Sequence, residues 1–408
     1  MLIQKITLLG HKDHGKSTLL GNLLIATHAV SPERVKEAKR ISKQLHRRFE
    51  PGFILDAFSE ERKGGLTIDT TRAELAHKGV GFEFIDVPGH EELIKNMLTG
   101  ASNANVAVLV VSAKRGEGIT SQTKRHLFIA KLLGINKIVI AVNKMDAVGY
   151  AEKAFSETAS ALNEYLTGIG FSADALSFVP ISAYRSENLV KKSANMRWYS
   201  GKPLIDLVFD SARRGSNSKN ELRILLQSKI EGGEVTGRVV SGTLKKGERL
   251  AIFPGASTAR VKGIIVAGKR QNSAKKGDSV ALDLGNVADA SSKIACIYGD
   301  GKPIVADAFS AKIFVVRRLQ SSTHIVLNGS KMPAKITSVQ AIDTDTGKTA
   351  KRGLKPLDAA NATVVLKQKA AFEKFEDFGE LGRFTIYCND KFAGIGTVSG
   401  PIQSTGSA

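Results

Sequence analysis

The spacing of apolar residues changes character along the chain. Up to about residue 211, uninterrupted apolar runs such as "VAVLVVSA" (106–113) alternate with segments whose apolar residues recur at helical intervals, as Leu19, Leu20, Leu23 and Leu24 do. Alternating strand and helix patterns of this kind predict a parallel α/β sheet. "RRGSNSKNE" (213–221) is polar and carries Gly and Ser, the composition of a linker. From 222 onward, short β-runs separated by turns take over, as in "GRVVSGTLKKGERLAIF" (237–253), the pattern of an all-β barrel. A second β-block opens near "DAFSAKIFVV" (307–316) and closes with "LGRFTIYCNDKFAGIGTV" (381–398). The expected organisation is an α/β domain over 1–212, a linker over 213–221, and β-barrels over 222–303 and 304–400. Residues 401–408 form a tail. No solenoid-type repeat is expected.

Composition narrows the class. At 408 residues the chain has room for two or three cores. No run reaches the length of a membrane span, and the N-terminus lacks the charged and apolar regions of a signal peptide. Two cysteines, Cys296 and Cys388, are too few for a disulfide framework. They read as inert buried thiols in a reducing cytoplasm. A formal net charge of +20 points to an anionic partner such as RNA, or to solubility in an unusual cytoplasm. Half of it lies in 212–280, where fifteen Lys and Arg face five Asp and Glu. Such a segment could grip RNA through its phosphates, although few aromatics interleave there to stack bases. "ERVKEAKRISKQLHRR" (33–48) reads as an exposed amphipathic helix.

The chemistry begins at "LLGHKDHGKSTLLGNLL" (8–24). Ile6, Leu8 and Leu9 are strand-like, the leucine stripe is helical, and between them stands the pattern G-x-x-x-x-G-K-S. Gly10 and Gly15 let the backbone turn so that the amides of His11, Lys12, Asp13, His14 and Gly15 can face phosphate oxygens. The helix N-terminus at Lys16, Ser17 and Thr18 adds its partial positive charge. In such a loop Lys16 reaches the β- and γ-phosphates and the Ser17 hydroxyl binds Mg²⁺. His11 and His14 have no independent chemical case and read as solvated or bonded to backbone.

Downstream strands select the base. "FEFIDVPGH" (82–90) ends in Asp86, an acid placed to hold Mg²⁺. "KIVIAVNKMD" (137–146) ends in Asn143, Lys144 and Asp146, and a carboxylate can accept from both the ring N–H and the amino group of guanine. "LSFVPISAY" (176–184) ends in Ser182, Ala183 and Tyr184, where backbone could meet the guanine oxygen. Together these imply GTP and GDP as ligands, with Mg²⁺.

The set GHKDHGKS, GGLTID, DVPGH, NKMD and SAY resembles the translational GTPase superfamily, elongation factor 1-alpha and the GTPase subunit of sulfate adenylyltransferase above all. The resemblance implies a doubly wound P-loop GTPase domain followed by two β-barrels. It assigns Thr67 to Mg²⁺ and the γ-phosphate, Gly89 to the γ-phosphate, and His90 to orienting the attacking water. Asp13 supports the loop.

Several positions depart from the family pattern. Lys12 stands where an apolar residue usually screens the histidine, and Gly64 where arginine precedes the switch glycine. Val240 replaces the glutamate of "GRVE". The Gly-Tyr-x-Pro…His-Thr segment gives way to "SSTHIVLNGSKMPAKITSV" (321–339). These losses fall in regions that hold aminoacyl-tRNA. By contrast, "FEPGFILDAFSEERKGGLTIDTTR" (49–72), "NKMDAVGY" (143–150) and "NMRWYSGKPL" (195–204) read closest to the sulfate-activating subunit. The first expectation is therefore a GTPase subunit coupled to sulfate adenylyltransferase, a nucleotidyl-transferase, and the second an elongation-factor-like GTPase acting on aminoacyl-tRNA or the ribosome. A GTPase with an unrelated protein client is a third.

Overall fold

The computed structural model describes residues 3–44, 46, 49–55, 71–86, 106–213, 221–229, 234–255, 257–285, 296–299, 301–320 and 322–402. The chain separates into two compact units, Met1–Gly215 with Thr344–Gly347, and Ser216–Asp343 with Lys348–Ala408.

Six strands make the sheet of the first unit: β1 (Ile3–Leu9), β2 (Thr71–His77), β3 (Val80–Asp86), β4 (Val106–Ser112), β5 (Lys137–Asn143) and β6 (Leu176–Pro180). Their order is β2-β3-β1-β4-β5-β6, parallel except for the β2–β3 hairpin. Every residue of β4 is buried, as its unbroken apolar run requires of a strand covered on both faces. Helices α1 (Lys16–Ala26), α2 (Pro32–Gln44), α3 (Ser121–Leu132), α4 (Glu152–Gly168) and α5 (Leu204–Arg213) follow in chain order among the described residues. Leucines of α1 and the apolar face of α5 share a core with Ile6, Leu8, Val106, Val108, Val110 and Val139. The alternate residues Leu109, Val111, Ile138, Ile140 and Val142 are equally buried, and α3 and α4 pack against β1, β5 and β6. The sheet is thus doubly wound. α2 is the exposed amphipathic helix expected near 33–48, with Ser42 its buried residue and Ile41 left 44% exposed.

Register explains where the motifs meet. Leu8 pairs with Asp86, Leu9 with Leu109, Ser112 with Asn143, and Val142 with Pro180. The carboxyl ends of five strands therefore gather on one edge of the sheet. Strand order reverses about β1, which lies between β3 and β4, and ligands of such sheets bind at that point.

The second unit holds two β-structures. The first is an eight-stranded sheet: β7 (Arg223–Lys229), β8 (Glu234–Ser241), β10 (Arg249–Phe253), β11 (Ser257–Arg260), β12 (Gly263–Val266), β13 (Lys269–Gln271), β15 (Ser279–Asp283) and β16 (Cys296–Tyr298). β9 (Thr243–Lys245) and β14 (Ser273–Lys275) pair separately as a ribbon. The sheet rolls about Ile224, Val239, Leu250, Leu282 and Ile297. The second β-structure is a closed barrel in the order β17-β20-β19-β18-β21-β22. These strands span Ile304–Val315, Asp358–Phe372, Ser330–Ile342, Thr323–Leu327, Arg383–Cys388 and Lys391–Pro401 respectively. Its core includes Phe309, Ile313, Phe372 and Phe384.

A smaller cluster of Val240, Phe253 and Tyr298 with Ala371, Phe378 and Leu381 connects the two. Beside it the Arg223 guanidinium donates to both oxygens of Glu373, and the Tyr298 hydroxyl donates to one of them at 2.9 Å. Both cysteines are buried and free, and burial pushes the Cys296 thiol up to about 12.

The ribbon reveals a local repeat that apolar patterning does not expose. "TLKKGE" (243–248) and "SAKKGD" (273–278) pair in register, Leu244 against Ala274. In each turn an acid accepts from the first lysine's amide, Glu248 from Lys245 at 2.9 Å and Asp278 from Lys275 at 2.8 Å. Gly247 and Gly277 take left-handed φ values of 87° and 97°. The small apolar residues turn inward, which leaves Lys245, Lys246, Lys275 and Lys276 exposed.

Candidate nucleotide-binding site

β1 ends against the sheet and the chain turns at once. Gly10 has φ 138°, and a Cβ there would sit 2.3 Å from the Val110 carbonyl oxygen. Residues Lys12–His14 form one 3-10 turn, and Gly15, at φ 89°, releases the chain into α1. A Cβ on Gly15 would meet Asn143 Nδ2 at 2.5 Å. Both glycines of the pattern are thus demanded by close approach to neighbouring strands. The α1 N-terminus has no side-chain cap, so its first amides remain a binding surface for an anion. Lys16 arcs back over the loop, and its ammonium donates to the carbonyls of Gly10 at 3.0 Å and His11 at 3.3 Å. The loop is a cradle with a cation held across it.

Asn143, at the end of β5, joins this cradle to the loop after β6. Its Nδ2 donates to the His14 carbonyl at 2.8 Å, and its Oδ1 accepts from the Ala183 amide at 2.8 Å. From α1, Asn22 donates to the Ala183 carbonyl at 2.5 Å. The Ser182 hydroxyl donates to Asp146 Oδ1 at 2.7 Å and so holds that carboxylate near the start of its own short 3-10 turn. Tyr184 is 37% exposed, with the Arg185 guanidinium 5.7 Å from its ring centre.

Lys144 has left-handed backbone, φ 63°, and its ammonium donates to Glu117 Oε2 at 2.5 Å. That hydrogen bond is the main reason the Glu117 carboxyl is lowered to about 2. His14 is buried, with Nε2 2.7 Å from the Glu117 carbonyl and Nδ1 3.3 Å from the Val110 carbonyl. A carbonyl only accepts, so the nitrogen with the short contact is the donor, and burial holds the ring's pKa below the usual imidazole value. The exposed Asp13 gives its amide to His11 Nδ1 at 3.5 Å.

The structure therefore brings together Gly10, His14, Gly15, Lys16, Asn143, Asp146, Ser182 and Ala183. Ser17 and Thr18 stand at the start of α1, and Asp86 ends β3 beside β1. A hydroxyl and a carboxylate suit a hard cation such as Mg²⁺. Thr67, Gly89 and His90, with Gly64, lie outside the described residues, as does the side chain of Lys12. Asn22 and Glu117 enter the network although no sequence motif named them. Asn22 had a signal, a polar residue inside the leucine stripe of α1; Glu117 had none.

The elongation factor Tu GTP binding domain family matches residues 1–225, more than half of the chain. The chain belongs to this family of translational GTPases. It is accordingly a GTPase, and GTP and GDP are its ligands. A second match, the GTP-eEF1A C-terminal domain-like family, covers residues 308–399. Elongation factor 1-alpha of Aeropyrum pernix is 33% identical over 97% of this chain and 95% of its own. That of Ignicoccus hospitalis is 35% identical over 97% and 95%. A solved structure of sup35 complexed with GDP is 23% identical over 98% of this chain and 94% of its own, with a TM-score of 0.43. No helix among the described residues is long and apolar enough to cross a membrane.

Proposed function

We propose that the chain is a Mg²⁺-dependent GTP switch of the elongation factor 1-alpha type whose client is RNA, either aminoacyl-tRNA or the ribosome. The observation that carries this reading is the likeness to elongation factor 1-alpha along nearly the whole chain, barrels included. It moves the weight away from the sulfate-activating subunit that residues 49–72, 143–150 and 195–204 suggest, and toward the translation reading. The paired lysine turns of the ribbon support the same client, because four exposed lysine side chains on a short two-stranded ribbon suit a phosphate backbone.

In this reading the α1 amides and Lys16 take the β- and γ-phosphates, and Ser17, Thr67 and Asp86 hold Mg²⁺, which would offset phosphate charge. Asp146 accepts from the guanine ring N–H and amino group, and the Ala183 backbone faces its oxygen. Gly89 senses the γ-phosphate, and His90 orients water. One departure bears on the client. Val240 is buried in the cluster between the two β-structures, so that position offers no carboxylate to an aminoacyl end.

The test is protection of an aminoacyl-tRNA ester from hydrolysis, together with ribosome co-sedimentation, each with GTP analogue and with GDP. The reading expects GTP-dependent protection or GTP-dependent sedimentation. It is overturned if neither RNA partner is retained in either nucleotide state.

A further inference from the structure

The contacts around Glu117 form a closed ring. The His14 ring donates to the Glu117 carbonyl, and the His14 carbonyl accepts from Asn143. Asn143 is followed by Lys144, whose ammonium returns to the Glu117 carboxylate. Two members belong to the phosphate cradle and the base loop, and the segment after β4 bolts them together. Lys144 needs such an anchor. It rests in a backbone region that costs a non-glycine residue free energy, and it caps the short turn carrying Asp146. Lys114 also approaches Glu117, 3.3 Å from Oε1, so the carboxylate faces two cations.

We infer that Glu117 is a positioning residue for nucleotide retention: its carboxylate fixes Lys144, and its carbonyl fixes His14, so that the phosphate loop and the guanine loop open together. This rests on the reading of 143–146 as the guanine loop. Glu117 needs no contact with nucleotide for this role. Cutting the ring at its side chain frees Lys144 to leave the left-handed conformation and loosens the turn that presents Asp146.

The experiment measures release of a fluorescent GDP analogue from the full chain, chased with excess GDP. It compares wild type, Glu117→Gln, Lys144→Met and the double variant. Loss of a partly exposed ion pair that couples two loops is expected to speed release about five-fold in Glu117→Gln. The double variant should release no faster than Lys144→Met alone, because both cut the same link. Raising salt should narrow the gap between wild type and Glu117→Gln, as screening weakens the pair in the wild type. The thermal midpoint should move by no more than a few degrees, since the pair is partly exposed, with the Glu117 and Lys144 side chains at 30% and 28%. Release from Glu117→Gln at the wild-type rate, or fully additive effects in the double variant, overturns the inference. A wild type that retains no GDP analogue overturns the guanine-loop reading itself.

Discussion

Replacing Asn143 by alanine removes a side chain that ties the phosphate loop to the loop after β6. Two hydrogen bonds of 2.8 Å disappear, and the groups left behind are the His14 carbonyl and the Ala183 amide. His14 and Ala183 are 2% and 1% exposed, so neither group gains water freely. A buried backbone group deprived of its partner costs about 1–3 kcal/mol. The carbonyl retains room for another donor, so the pair should cost about 2–4 kcal/mol in total. Trp198 is the single tryptophan, and it lies in the first unit, packed 5.5 Å from Phe155. Its emission during urea titration therefore reports this unit alone. The expected result is a lower midpoint with unchanged slope. Asn143→Asp should also destabilise, because it sets a carboxylate oxygen against the His14 carbonyl. A loss below about 1 kcal/mol in Asn143→Ala would refute the reasoning, since it falls within the net worth of one ordinary hydrogen bond.

Two further outcomes follow from buried groups. Burial lowers the His14 pKa, with the His11 ring and Lys144 acting in the same direction and the Glu117 and Val110 carbonyls opposing them. Its folded pKa lies below 6.5, so the unfolded chain takes up a proton first as pH falls through 6.5. Stability of the first unit should be insensitive to His14 above that pH and decline below it; Trp198 unfolding curves for wild type and His14→Gln check this, with a shallower acid slope expected in the variant. In the second unit, Arg223→Met leaves the Glu373 carboxylate, 12% exposed, without its guanidinium and should cost about 3–5 kcal/mol. Hydrogen exchange at β7 and β16 checks this, and adding Glu373→Gln should recover part of the loss.

Much of the first unit was legible because local chemistry and tertiary need coincide there. The apolar run of β4 could only be a strand covered on both faces, and Gly10 and Gly15 stand where a Cβ would strike Val110 or Asn143. Asp86, Asn143 and Ser182 were placed at strand ends by pattern alone, and parallel pairing then brought those ends together. What stayed hidden depends on contacts between distant segments. Glu117 reaches Lys144 across a crossover and has no periodicity to betray it. The KKG repeat follows turn chemistry and not apolar spacing. Val240 reads as a lost glutamate in sequence, and only packing shows it buried against the second barrel. The client is the least legible part: short stretches in 49–72, 143–150 and 195–204 point toward the sulfate-activating subunit, whereas the likeness along nearly the whole chain is to elongation factor 1-alpha.

If the edge formed by 10–18, 143–146 and 182–184 binds a guanine nucleotide through Asp146, base choice should depend on that one carboxylate. The most direct measurement is competition between GDP and XDP on wild type and on Asp146→Asn. Ser182 holds the Asp146 carboxylate at 2.7 Å, and an amide at that position keeps a similar shape while exchanging one acceptor oxygen for a donor. Guanine presents a donor pair to that carboxylate, whereas xanthine presents an oxygen where guanine has its amino group. Wild type should prefer GDP, and Asp146→Asn should prefer XDP. Unchanged GDP preference in Asp146→Asn, with the variant folded by Trp198 emission, would contradict that role of Asp146.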